Sequence, residues 1–137
     1  MDPMESDSIV IDSSALIAVL LREPGFERIE RVLATAKAVL ISAATRLEVC
    51  IVMSYRVAFS PGGMEEAEEI FNLTVVTFSA QHAICAFEAF QRFGKGRHKA
   101  ALNFGDCQAY ATAKLAGLPL LFVGNDFNFT DLECVAL

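Results

Sequence analysis

Apolar residues fall into two patterns along the chain: short dense runs, and longer stretches where they recur every three or four positions. The short runs are Ser8 to Ile11, Val39 to Ile41, Leu73 to Phe78 and Leu120 to Val123. They are rich in β-branched residues and nearly free of charge, as strands buried on both faces tend to be. Helical spacing occupies the intervals. It runs from Ala15 to about Glu23, ending near Pro24-Gly25, then over Phe26–Ala36, from Ala43 to about Phe59, over Met64–Asn72 and over Ala80–Phe93. A last helix holds Asp106 in its first turn and stops at Gly117, ahead of Leu118-Pro119. Ser42 stands where the third helix needs an N-cap, and Ser60-Pro61-Gly62-Gly63 reads as a turn.

In the Phe26 helix, Phe26, Ile29, Val32 and Leu33 share a face opposite Glu27, Arg28, Glu30 and Arg31. In the Ala80 helix, Ile84, Phe87, Ala89 and Phe90 are expected to point inward, whereas Glu65, Glu66, Glu68 and Glu69 mark a solvated face. Strands alternating with helices predict an α/β fold: a three-layer α/β/α domain around a central parallel sheet of four to five strands.

Composition narrows the class. The 137 residues, 54% of them hydrophobic, suit one domain over 1–137, with residues 1–7 read as a flexible N-terminal extension. The longest apolar run, Ala15 to Leu21, is far too short to cross a bilayer. Asp2, Glu5 and Asp7 stand ahead of it where a secretory signal would carry basic residues, so a cytoplasmic location without membrane contact is expected. The four cysteines, Cys50, Cys85, Cys107 and Cys134, form no C-x-x-C pair and lie apart from His82 and His98. They read as reduced thiols, and any metal is expected on oxygen ligands.

Four acids stand out by position. Asp12 and Asp126 follow apolar strands, Asp106 opens a helix, and Glu48 lies among Leu47, Val49, Cys50, Ile51 and Val52. Asp12 and Asp106 would also serve as helix-capping residues, and Glu48 would also suit a narrow exposed stripe. In an open parallel sheet, however, the carboxyl ends of the strands form the ligand edge, which could collect all four. Carboxylates gathered without basic partners repel one another unless a hard divalent cation neutralises them, which points to Mg²⁺, with Mn²⁺ able to substitute. The net charge of −6 disfavours nucleic acid by bulk electrostatics, but a bound cation reverses the sign locally. The one basic cluster, Lys95, Arg97, His98 and Lys99, precedes the Asp106 helix in a glycine-containing loop. It is either a solvated loop or a cradle for a phosphodiester backbone.

The segments VIDSSALIAVL, SAATRLEVCIV, RFGKGRHKAALNFGDCQAYATAKLAGLPLLF and GNDFNFTDL together resemble a PIN-domain ribonuclease of the VapC toxin family, over Ile9 to Leu132. The resemblance implies a PIN-like fold and metal-dependent hydrolysis of RNA. It makes Asp12 and Asp106 the principal metal ligands, with Glu48 and Asp126 completing the acidic site. It also implies a cognate VapB-type antitoxin and a homodimer. This chain departs from the family in having Gly124-Asn125-Asp126-Phe127 where relatives commonly read G-D-D-F, which leaves Asp131 as a second candidate for the fourth acid. Ser14 is expected either to bond the metal shell or to cap its helix, and Asn103 to brace the loop before Asp106. Apolar residues Leu16, Val19, Leu20, Phe26 and Ile29 are candidates for either core or a partner groove. The competing class is a catalytically silent PIN-like interaction or RNA-binding module. A phosphoryl-transfer or receiver-type domain would need a D-x-D pair that Asp12-Ser13-Ser14 does not supply.

Overall fold

Strand β1 (Ser8–Ile11) divides the core of this computed structural model, which describes residues 8–137. The extension expected over 1–7 lies outside the described residues. Successive side chains of a strand point to opposite faces, so Ile9 and Ile11 enter one apolar cluster and Val10 the other. Strands β2 (Ala38–Ser42), β3 (Leu73–Val76) and β4 (Leu120–Leu121) join β1 in a parallel four-stranded sheet of order β3-β2-β1-β4. Cys134 adds a single parallel bridge beside Leu120, so the sheet keeps to the lower end of the expected strand count.

On one face lie α1 (Ser13–Leu20), α2 (Phe26–Thr35), α3 (Ala43–Arg56) and α4 (Pro61–Ile70). Helices α5 (Ala80–Phe93) and α6 (Phe104–Ala116) pack against each other on the second cluster. This is the expected three-layer α/β/α arrangement. The order also fixes a switch point. The chain leaves β1 for β2 and β3 on one side and returns to β4 on the other, so a crevice opens at the carboxyl end of β1.

Several local expectations need correction. Helix α1 ends at Leu20 rather than near Glu23, where the Leu21 amide closes onto Ile17 and the chain turns at Arg22 with a positive φ. Helix α3 ends at Arg56, not Phe59. The Ser60-Pro61-Gly62-Gly63 segment is the start of α4 rather than a free turn: Ser60 accepts from the Gly63 amide, and proline suits the first helical position because its missing N–H has no helical acceptor there. Helix α4 is not merely solvated, since Met64 and Ala67 are buried and Glu68 pairs with Arg46 of α3 at 2.5 Å. On α5, Ala89 is buried and Phe90 packs against the second cluster, but Ile84 and Phe87 are 62% and 60% exposed. The inward stripe is instead Cys85, Ala86, Ala89, Phe90 and Phe93. Leu16, Val19 and Ile29 are buried core, with Leu20 and Phe26 packed against it, so they leave no free groove.

Candidate active site

Asp12 is pinned at the switch point. Its amide donates to the Leu121 carbonyl at 2.9 Å, and its side chain caps α1. Carboxylate oxygen Oδ2 accepts from the Ser14 amide at 3.1 Å and from the Ser14 hydroxyl at 2.6 Å. The same hydroxyl accepts from the Val123 amide at 3.0 Å, so Ser14 both orients Asp12 and ties β1 to the segment after β4. The other oxygen, Oδ1, is buried with no hydrogen-bond partner.

Asp106 is the third residue of α6 and one half of a reciprocal cap. The Asn103 side-chain oxygen accepts from the Asp106 amide at 2.9 Å, and Asp106 Oδ2 accepts from the Asn103 amide at 3.0 Å. The local brace expected at Asn103 is therefore the N-cap of α6. Glu48 resolves in favour of the cleft. It is half-buried near the Ser13 side chain, which favours its charged form, and it abuts Gly105 so closely that a Cβ there would run into the carboxylate. Its Oε1 is buried and unpartnered. Gly105 thus lets α6 approach α3.

Electrostatics join the four acids. Burial, then the charge of Glu48, pushes Asp12 up to about 6 against the hydrogen bonds from Ser14. Burial, then the charges of Asp12 and Asp126, raises Asp106 to about 6 against the bond from Asn103. Burial, then the charge of Asp106, raises Glu48 against the lowering influence of the Ser13 side chain. Asp126 stands exposed on a 3-10 turn (Asp126–Phe129) that is anchored by buried Phe127, whose ring meets Phe122 edge-on at 5.0 Å. Asp131 is elsewhere. Burial alone would raise it, but hydrogen bonds from Tyr110 and Lys114 and the charge of Arg92 outweigh burial and hold it below the usual carboxylate range. It fastens the C-terminal segment to α5 and α6 through Arg92, Tyr110 and Lys114.

A divalent cation fits these donors. Two buried carboxylate oxygens lack partners, three of the acids are harder to ionise than usual, and all the donors are hard oxygens. Among the described residues, no three His, Cys, Asp or Glu side chains stand close enough to hold an ion together.

The basic loop is pinned at its base, where the Lys95 amide donates to Leu102 and the Leu102 amide to Phe93, both at 2.9 Å. Lys95, Arg97 and Lys99 are exposed. The Arg97 guanidinium lies 5.3 Å over the Phe90 ring, and the Lys99 ammonium 4.9 Å over Phe129. His98 turns inward, accepting from the Ala100 amide at 3.0 Å and meeting Phe93 edge-on, so it holds the loop's shape. The four cysteines are free thiols. Sequence reasoning missed the contacts that Ser13 and Gly105 make with Glu48, since these depend on which elements approach each other.

The PIN domain family matches residues 9–132. Ribonuclease VapC30 of Mycobacterium tuberculosis is 44% identical, over 94% of this chain and 99% of its own. Ribonuclease VapC of Mycolicibacterium smegmatis is 43% identical over 93% and 99%. Among solved structures, the sarcin-ricin loop cleaving toxin VapC20 of M. tuberculosis superposes with a TM-score of 0.73 at 17% identity, covering 94% of this chain and 99% of that one. A toxin-antitoxin complex from Klebsiella pneumoniae gives 0.67 at 18% identity, covering 90% and 92%. These two share the fold.

Proposed function

The chain belongs to the PIN-domain family, among its VapC ribonucleases, and from that footing we propose that Asp12, Glu48, Asp106 and Asp126 form the active site that hydrolyses RNA phosphodiester bonds, with Mg²⁺ held by Asp12 and Asp106. It is an endoribonuclease and the toxin of a pair whose partner is a VapB-type antitoxin. The observation that carries the site assignment is the pair of buried, unpartnered oxygens on Asp12 and Glu48. A silent module would gain nothing from burying them.

Asp12 and Asp106 are the residues to hold the ion, and Mn²⁺ offers the same hard, oxygen-loving chemistry. When bound, the cation supplies Lewis acidity at a phosphoryl oxygen and a more acidic water. Ser14 keeps Asp12 in one rotamer, and the reciprocal cap keeps Asp106 in its turn, so neither carboxylate must be ordered during reaction. Glu48 and Asp126, whose carboxylates interact by charge with Asp106, are the groups that would accept a proton from a water bound to the cation. Lys95, Arg97 and Lys99 track the RNA backbone, while His98 contributes by holding the loop. Assembly as a homodimer and a cytoplasmic location belong to this same reading. Among the described residues no helix is long and apolar enough to cross a membrane.

The test is cleavage of a mixed bacterial RNA pool by the purified, antitoxin-free protein in Mg²⁺, in Mn²⁺ and in EDTA. Fragments that form with either metal and vanish in EDTA are expected. Folded protein that cuts nothing in any condition would sink the assignment.

A further inference from the structure

Phe104, the first residue of α6, is 83% exposed. A fully presented phenylalanine loses the transfer free energy that burial would return, so its placement calls for an occupant. Its ring borders two hollows. One, of about 410 Å³, is walled by Phe78, Ala86, Phe87 and Phe90; the other, of about 370 Å³, is walled by Leu47, Glu48, Ile51 and Gly105. Gln108, one helical turn on from Phe104, lines both. Phe104 is also two residues from Asp106, about 3 Å along the helix axis. The Arg97 guanidinium lies 5.3 Å over the ring of Phe90, one of the residues that line the first hollow.

We infer that Phe104 is a stacking platform for a nucleobase of the RNA strand next to the scissile phosphate, with Gln108 reading that base's edge. This subsite rests on the ribonuclease reading and deepens it. An unpaired base has two apolar faces and a polar rim. Proteins that take single-stranded RNA meet the faces with an aromatic ring, the rim with an amide and the backbone with cations. Phe104 and Gln108 supply the ring and the amide together, and the exposed cations Lys95, Arg97 and Lys99 stand in the loop that leads into α6. The distance from Asp106 also decides between occupants. A phosphate held at Asp106 brings its flanking nucleotide onto this helix turn, where Phe104 and Gln108 stand.

The experiment is cleavage of a short, random-sequence, single-stranded RNA library in Mg²⁺ by wild type, Phe104→Ala, Phe104→Trp and Gln108→Ala, with rates measured across RNA concentration and product ends sequenced. Removing a stacking ring costs on the order of ten-fold or more in binding. Phe104→Ala should therefore raise KM by about that factor with kcat nearly unchanged, and Phe104→Trp should restore it. Gln108→Ala should flatten base preference at one position beside the cut. Because Phe104 is exposed, the alanine variant keeps its core. If wild type cleaves and Phe104→Ala matches it in KM and in base preference, the subsite is wrong while the ribonuclease reading stands. The subsite is equally wrong if the variant loses only antitoxin binding. If wild type cuts none of the library, the ribonuclease reading itself fails.

Discussion

Asp12 presents one carboxylate oxygen engaged by Ser14 and one with nothing to bind, and this asymmetry makes its ionisation costly in metal-free protein. Burial raises the folded-state pKa of Asp12 and Asp106 from 3.8 to about 6. Between those values the folded chain holds more protons than the unfolded one. The stability these groups contribute is therefore complete below 3.8 and is lost as pH rises through about 6. Asp131 runs the other way, since its lowered pKa favours the folded state at higher pH and that support goes as acid is added. Asp106→Asn isolates the first effect. Thermal melts in EDTA should show the variant more stable than wild type at pH 7 and the gap closing as pH falls below 6. Saturating Mg²⁺ should raise the melting temperature of wild type alone. A wild type and variant that melt in parallel across this range would mean Asp106 is not strained by its neighbours.

At the scale of elements, the site depends on α6 approaching α3 at Gly105, where the atoms nearest to an added Cβ belong to the flexible end of Glu48. Gly105→Ala should displace that carboxylate without striking backbone. The helix gains about 1 kcal/mol of propensity from the change, so the melting temperature should hold or rise while RNA cleavage falls at least ten-fold. Cleavage at the wild-type rate would show that Glu48 need not sit there. This contact was invisible in the sequence because it joins residues far apart in the chain. Strand ends and helix caps, by contrast, are local chemistry. Ser42, Asn103 and Gly117 terminate their helices as their residue types require, and the bounds of α5 follow from Ser79 and Gly94. Asp12 and Asp106 were legible for the same reason, one ending a strand and one opening a helix. The inward face of α5 was not, since Ile84 and Phe87 fit helical spacing equally well on either side and only packing against α6 selects Cys85, Ala89 and Phe93. Nor were the contacts by which Tyr110, Lys114 and Arg92 reach Asp131, since those residues lie on other elements.

Across the whole molecule, a net charge of −6 must be reconciled with a polyanionic substrate. The sheet order opens a crevice at Asp12, whose charge acts on Asp106, and the basic loop leads directly into α6, which carries Asp106. A cation bound there would reverse the sign of the charge locally. Everything then depends on whether those acids bind the ion. The direct measurement is calorimetric titration of Mn²⁺ into antitoxin-free wild type, Asp12→Asn and Asp106→Asn, each checked for fold by circular dichroism. An asparagine at 106 can still accept from the Asn103 amide, so α6 keeps its cap. Mn²⁺ should bind wild type, and its affinity should fall at least ten-fold in both variants. Equal affinity in all three folded proteins would contradict a metal site shared by Asp12 and Asp106.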